Sequence, residues 1–188
     1  MKFFIKMITL LVLSVTLGMA IPPPDNSTTK NIPIKDSIVV AMAGIDDVGL
    51  VALWNGNGSS TVLTTSWETG VAGRGSKDIS SKLTKGTNYI VFVLFNKIYA
   101  GTGWFSGGKW SYEFGIYKNQ KLLWSHNDYE ADNTPGVKYW KVFKANVSSD
   151  GKVILTDKVG DKELNLLRLG IGELEQKLLR SNPISTPF

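Results

Sequence analysis

Seven consecutive apolar residues, Tyr89, Ile90, Val91, Phe92, Val93, Leu94 and Phe95, constrain this chain more than any other stretch. The run is largely aromatic and β-branched, which suits a strand. It is apolar at both parities, so both of its faces must be covered. An edge strand with one wet face would alternate instead. Lys85-Gly86-Thr87-Asn88 breaks the chain just before it. The run is therefore expected to be the central strand of a two-layer β core.

The rest of the 188 residues agrees with that expectation. Aromatic residues make up 11% and there are 19 glycines, a balance that favours β structure with glycine turns over helices. The net charge is +5, with lysine and glutamate scattered and no basic block, so nucleic acid and anionic membranes are weak partner classes. There is no cysteine, which excludes disulfides, thiolate metal sites and cysteine nucleophiles.

The chain begins with Lys2 and Lys6, an apolar run from Ile8 to Leu17 and the small residues around Ala20. This is the pattern of a secretory leader over 1–20, cleaved after Ala20 or retained as a membrane anchor; cleavage points to a secreted or periplasmic protein with no stable membrane insertion. A Pro-rich extended arm is expected over 21–36, a β-sandwich domain over 37–157, a helix over 158–180 and a loose tail over 181–188. Strands are expected at Ser37–Met42, Val48–Trp54, Thr61–Trp67, Tyr89–Phe95, Trp110–Tyr117, Lys121–Ser125, Tyr139–Val147 and Lys152–Thr156. Glu68–Lys77 and His126–Val137 read as loops. From Asp161 the period changes. Leu164, Leu167, Ile171, Leu174 and Leu178 form one stripe of a helix that ends before Pro183. That stripe can dock on the sandwich, or it can hold copies together in a weak homo-oligomer through residues 161–180.

Several motifs in order resemble the galactose-binding-domain-like jelly rolls. They are Ile45-Asp46-Asp47, the strand end Leu53-Trp54-Asn55-Gly56, Trp67, the turn Lys77-Asp78-Ile79-Ser80-Ser81-Lys82-Leu83 and the launch Lys85-Gly86-Thr87-Asn88. The resemblance spans residues 37–156. It implies an all-β jelly-roll sandwich of mostly antiparallel strands. It also implies a carbohydrate-binding module or a glycosidase accessory domain, in a family where many members hold calcium. Asp46 and Asp47 are the residues that would supply oxygens to such an ion. In the turn, Asp78 is expected to cap, Leu83 to plug the core, Gly86 to take a positive φ and Asn88 to hydrogen-bond locally. Asp128, Glu130 and Asp132 alternate like the start of a calcium loop. Asn133 replaces its glycine, however, and Tyr139 stands where a bidentate glutamate would fall.

Catalysis is poorly supported. The single histidine, His126, neighbours Ser125, and no nucleophile elbow, zinc motif or phosphate loop is present. Glu68 and Glu113 are a carboxylate pair that a glycosidase could use if the fold brought them together, which nothing in the sequence requires. Binding is better supported. A sugar needs an aromatic platform with amide, carboxylate or guanidinium groups around it. Trp54, Asn55 and Asn57 at one turn meet that need. So do Trp67, Glu68 and Arg74 in the glycine loop, and Trp104 in the segment that opens after Asn96. The expected activity is lectin-like carbohydrate or glycoconjugate binding without catalysis. A structural or protein-interaction module assembled through its C-terminal helix is the alternative, and a glycan-active enzyme is the third reading.

Overall fold

In a computed structural model, the described residues are 33–56, 58–67, 71–96, 109–132 and 134–180, with backbone only for 176–180. The expected leader, most of the expected arm and the expected tail lie outside them. Nine strands and one helix follow in order. They are β1 (Ile38–Asp46), β2 (Val48–Asn55), β3 (Gly58–Ser66), β4 (Gly73–Asp78), β5 (Gly86–Asn96), β6 (Lys109–Lys118), β7 (Lys121–Ala131), β8 (Gly136–Val147), β9 (Val153–Thr156) and α1 (Asp161–Arg180). One sheet runs β4-β1-β6-β7 and the other β3-β2-β5-β8-β9. Every pairing is antiparallel. The protein is an all-β sandwich with one C-terminal amphipathic helix.

β5 is covered on both sides, and the two covers are different layers. Ile90, Phe92 and Leu94 face the other sheet and join Val40, Phe114 and Ile116 in the inter-sheet core. Tyr89, Val91, Val93 and Phe95 face outward, where they meet Leu167 and Ile171 of α1. The helical stripe thus lies on the outer face of the five-stranded sheet. Burying it there removes apolar area from water at about 25 cal/mol per Å². Among the described residues, no helix is long and apolar enough to cross a membrane.

The turn before β5 works as its residues predict. Asp78 Oδ1 accepts hydrogen bonds from the Ser80 backbone N–H (2.8 Å) and the Ser80 hydroxyl (2.5 Å), and Oδ2 accepts from the Ser37 hydroxyl (2.9 Å). These donors, the Ser80 hydroxyl foremost, hold the Asp78 carboxyl below its usual range. Ser80–Lys82 forms one 3-10 turn, Leu83 is buried, and Gly86 takes a φ of 86°.

Two expected loops are strands. The glycine loop contains β4, whose Gly73-Arg74-Gly75-Ser76-Lys77-Asp78 is poor in β-formers. Its strand conformation comes from the ladder with β1. The loop expected from His126 is the continuation of β7, which pairs with β6 as far as Ala131. The last residues of the expected arm are also tied down. The Lys35 N–H donates to Gly151 O (2.9 Å), and Asp36 accepts from the Val153 N–H (2.8 Å) and the Asn119 amide (2.8 Å).

Candidate functional site: the open face of the four-stranded sheet

The two outer faces of the sandwich differ. Helix α1 covers the five-stranded sheet, and no described element covers the four-stranded one. Strand alternation decides which side chains lie on that open face. In β1 and β6, Val40, Met42, Tyr112, Phe114 and Ile116 point into the core. The intervening residues point out, and the register lines them up in rows. Ala43 stands opposite Glu113, and Glu113 opposite Asn127. Ala41 stands opposite Ser76 and Gly115, and Gly115 opposite Ser125. Asp46 is paired with Ser111, and Ser111 with Tyr129. Arg74 lies between Gly73 and Gly75, which pair with Ile45 and Met42, so it extends the Ala43–Glu113–Asn127 row.

The floor of this face is small and the groups around it are large. A Cβ on Gly115 would sit 3.5 Å from the Tyr117 ring and 3.7 Å from Leu122 Cδ1, so those two side chains lean over the glycine. Tyr129 is 82% exposed. Arg74, Glu113 and Asn127 are exposed. Among the described residues their side chains have no hydrogen-bond or ion-pair partner.

Behind the face, β7 is clamped by rings. His126 lies flat on Tyr139 (5.0 Å between centroids, 9°), Tyr139 on Tyr112 (4.6 Å), and Trp124 parallel to His126 (6.4 Å). The Tyr112 hydroxyl and His126 Nδ1 are hydrogen-bonded at 2.9 Å. Burial, then the Tyr139 phenol and the Asp128 charge, push the Tyr112 phenol up. His126 and Ser125 alternate to opposite faces of β7, so they cannot act as a base–nucleophile pair. The histidine belongs to the packing that fixes the open face.

The structure separates the residues that the sequence grouped. Trp54 is a correction. It is buried under α1 with Leu50 and Tyr89, because it shares the helix-facing side of β2, and it offers no platform. Asn96 is a second correction. It is buried, and its amide donates to Asp132 O (2.7 Å) and Thr134 O (3.0 Å), joining β5 to the β7–β8 turn. Asn55 donates to Lys82 O (3.2 Å) at the end opposite Asn96, since Trp54 pairs with Tyr89 and Val48 with Phe95. Trp67 is 41% exposed at the Asn96 end, its backbone N–H donating to Asp47 O (2.9 Å). Arg74 and Asp46 do reach the open face. Asn57, Glu68 and Trp104 lie outside the described residues. Asp47 is buried. Among the described residues no group of three or more His, Asp or Glu could hold a metal ion. Asp128 and Glu130 lie on a strand, on the side of Tyr112 and Trp110, and Asp132 holds Thr134 and Lys138. Lys138 is the largest cause that lowers the Asp132 carboxyl to about 2.

Sequence reading missed Asn127 and Tyr129 on this face. Their signal was the alternation of Trp124, His126, Asp128 and Glu130 with Ser125, Asn127 and Tyr129, a strand pattern masked by polarity. No family model, no curated protein and no solved structure matches the chain.

Proposed function

We propose that this protein is a secreted, non-catalytic carbohydrate-binding β-sandwich whose open four-stranded face takes the sugar. One observation carries the reading. The well-exposed Tyr129 ring stands on β7 next to Asn127 and diagonally across from Glu113 on β6, with Arg74 on β4 at the opposite edge of the same face, about 14 Å away across three strand spacings. The Arg74, Glu113 and Asn127 side chains have no partner among the described residues. A sugar presents an apolar C–H face to an aromatic ring and hydroxyls to a carboxylate, an amide and a guanidinium. Polar groups held on strands keep their geometry better than groups on loops.

The test is a glycan array followed by calorimetry on the glycans that bind. Tyr129→Ala should weaken affinity about tenfold or more, roughly 1.4 kcal/mol, with the melting temperature unchanged. Arg74→Ala should weaken it without unfolding the domain. A folded protein that binds no glycan overturns the reading. If Trp67→Ala abolishes binding and Tyr129→Ala does not, the site moves to the Asn96 end of the sandwich.

A further inference from the structure

The four-stranded sheet ends in β7, an eleven-residue strand with no described strand on its far side. The other margins are less available. β9 has only four residues, and β3 and β4 close against each other, with a Cβ on Gly73 meeting Ser66 O at 2.6 Å. A long open edge presents a row of backbone donors and acceptors that templates a further strand. β7 contains no proline and carries Leu122, Leu123 and Tyr129 as exposed large apolar side chains.

The charge order along β7 selects the occupant. Its first half holds Lys121, and its second half holds Asp128 and Glu130. Its exposed leucines are in the first half and its exposed tyrosine is in the second. Set antiparallel to a second copy, the Lys121 end of each strand faces the Asp128–Glu130 half of the other, twice over. The leucines of each copy then approach Tyr129 of the other. A parallel copy would set like charge against like. The register shift between Ile116 and Tyr117 and the core-side Asp128 and Glu130 also discourage indiscriminate edge pairing.

We propose that β7 is the interface of a two-fold homodimer in which two four-stranded sheets join into one eight-stranded sheet. The two-fold runs perpendicular to the sheet, so outward residues meet outward residues and the two open faces lie on the same side. A ligand with repeated units would then meet two sites at once, with the gain in avidity that linkage brings. The dimer itself does not depend on what those faces bind.

Sedimentation equilibrium of the full-length chain tests the interface. Two variants change the charge order: Asp128→Lys with Glu130→Lys makes both halves positive, and Lys121→Glu with Leu123→Glu makes both halves negative. The wild type should be dimeric, each variant alone should dissociate with affinity lowered about tenfold or more, and an equimolar mixture should re-form dimer. Circular dichroism on each variant establishes that it is folded. If one variant fails to fold, the other alone and its salt dependence decide, because loss through charge repulsion is relieved by salt. A wild type that stays monomeric overturns the proposal. So does association that survives both variants, which would place the contact elsewhere, for example on α1.

Discussion

Asn88 shows how a single polar residue can hold a core strand in place. It is wholly buried. Its Oδ1 accepts from the Thr84 N–H (2.9 Å) and hydroxyl (3.2 Å), and its Nδ2 donates to Thr84 O (2.8 Å) and to Gly86 O and Ala145 O (3.2 Å each). It therefore fastens the turn to β5 and β5 to β8. Asn88→Ala removes these bonds and leaves buried backbone groups unsatisfied, so it should cost about 2–3 kcal/mol, read as a lower midpoint in urea. Asp36 is the comparable residue at the chain's entry. The Val153 N–H, the Asn119 amide and Lys118 hold its carboxyl near 2. A folded pKa below the unfolded one stabilises the folded state when the group is ionised. That contribution is complete above about pH 5 and is lost as the pH falls through about 4 to 2. The stability gap between wild type and Asp36→Asn should therefore be full at pH 7 and shrink toward pH 2 in parallel urea titrations. Both residues were visible in the sequence, but only Asn88 had a legible role, because its main partners are local. The Asp36 partners lie 83 and 117 residues away.

At the scale of elements, α1 is a structural cover. Its N-terminus is fixed by Glu163, which accepts from the Gly160 N–H (2.9 Å), from Lys144 (3.1 Å) and from the Tyr89 hydroxyl. Farther along the helix, Glu175 accepts from the Val137 N–H (2.9 Å). Gly136 beside it has a φ of 127°, and a Cβ there would lie 2.6 Å from Glu175 Oε1. Gly136→Ala should lower the melting temperature by combining backbone strain with loss of that latch. Ending the chain at Val159 should expose Trp54, Val91 and Phe95 and produce a fluorescent-dye-binding, poorly soluble sheet. A truncated chain that stays soluble and binds no dye would show that the cover is dispensable. The helix bounds were readable because the 3.6-residue period is local. β4 was not, because a strand of glycine, serine and charge is stabilised only by its neighbour. β7 was half legible: Lys121–Ser125 is apolar enough to be seen, and Asn127–Ala131 is a strand only by pairing with β6.

At the scale of the whole molecule, the described residues form a three-layer stack of helix, five-stranded sheet and four-stranded sheet, and none of them covers the outer face of the four-stranded sheet. Phe92 lies near its centre, with rings at 5.3 Å (Phe114), 5.3 Å (Trp124) and 6.3 Å (Phe143). Phe92→Ala should cost about 3–5 kcal/mol, measured by thermal or urea unfolding. It should also loosen β7 through Trp124, so ligand binding at the open face should fall along with stability. Tyr129→Ala should lower the proposed binding while leaving the fold's stability in urea unchanged. The two variants together separate a scaffold residue from a contact residue.

The doubly apolar run at Tyr89–Phe95, the turn chemistry of Asp78–Asn88, the helical stripe and the absence of cysteine determined the β-sandwich class, its central strand and its one helix. Those signals arise from period and local hydrogen bonding, and both are written in adjacent residues. The tertiary structure decided which tryptophans are core, which loops are strands and which face stays uncovered. These depend on cross-strand register and on where α1 lies. Both are set by contacts between residues far apart in the chain, where a one-residue shift exchanges the inside for the outside.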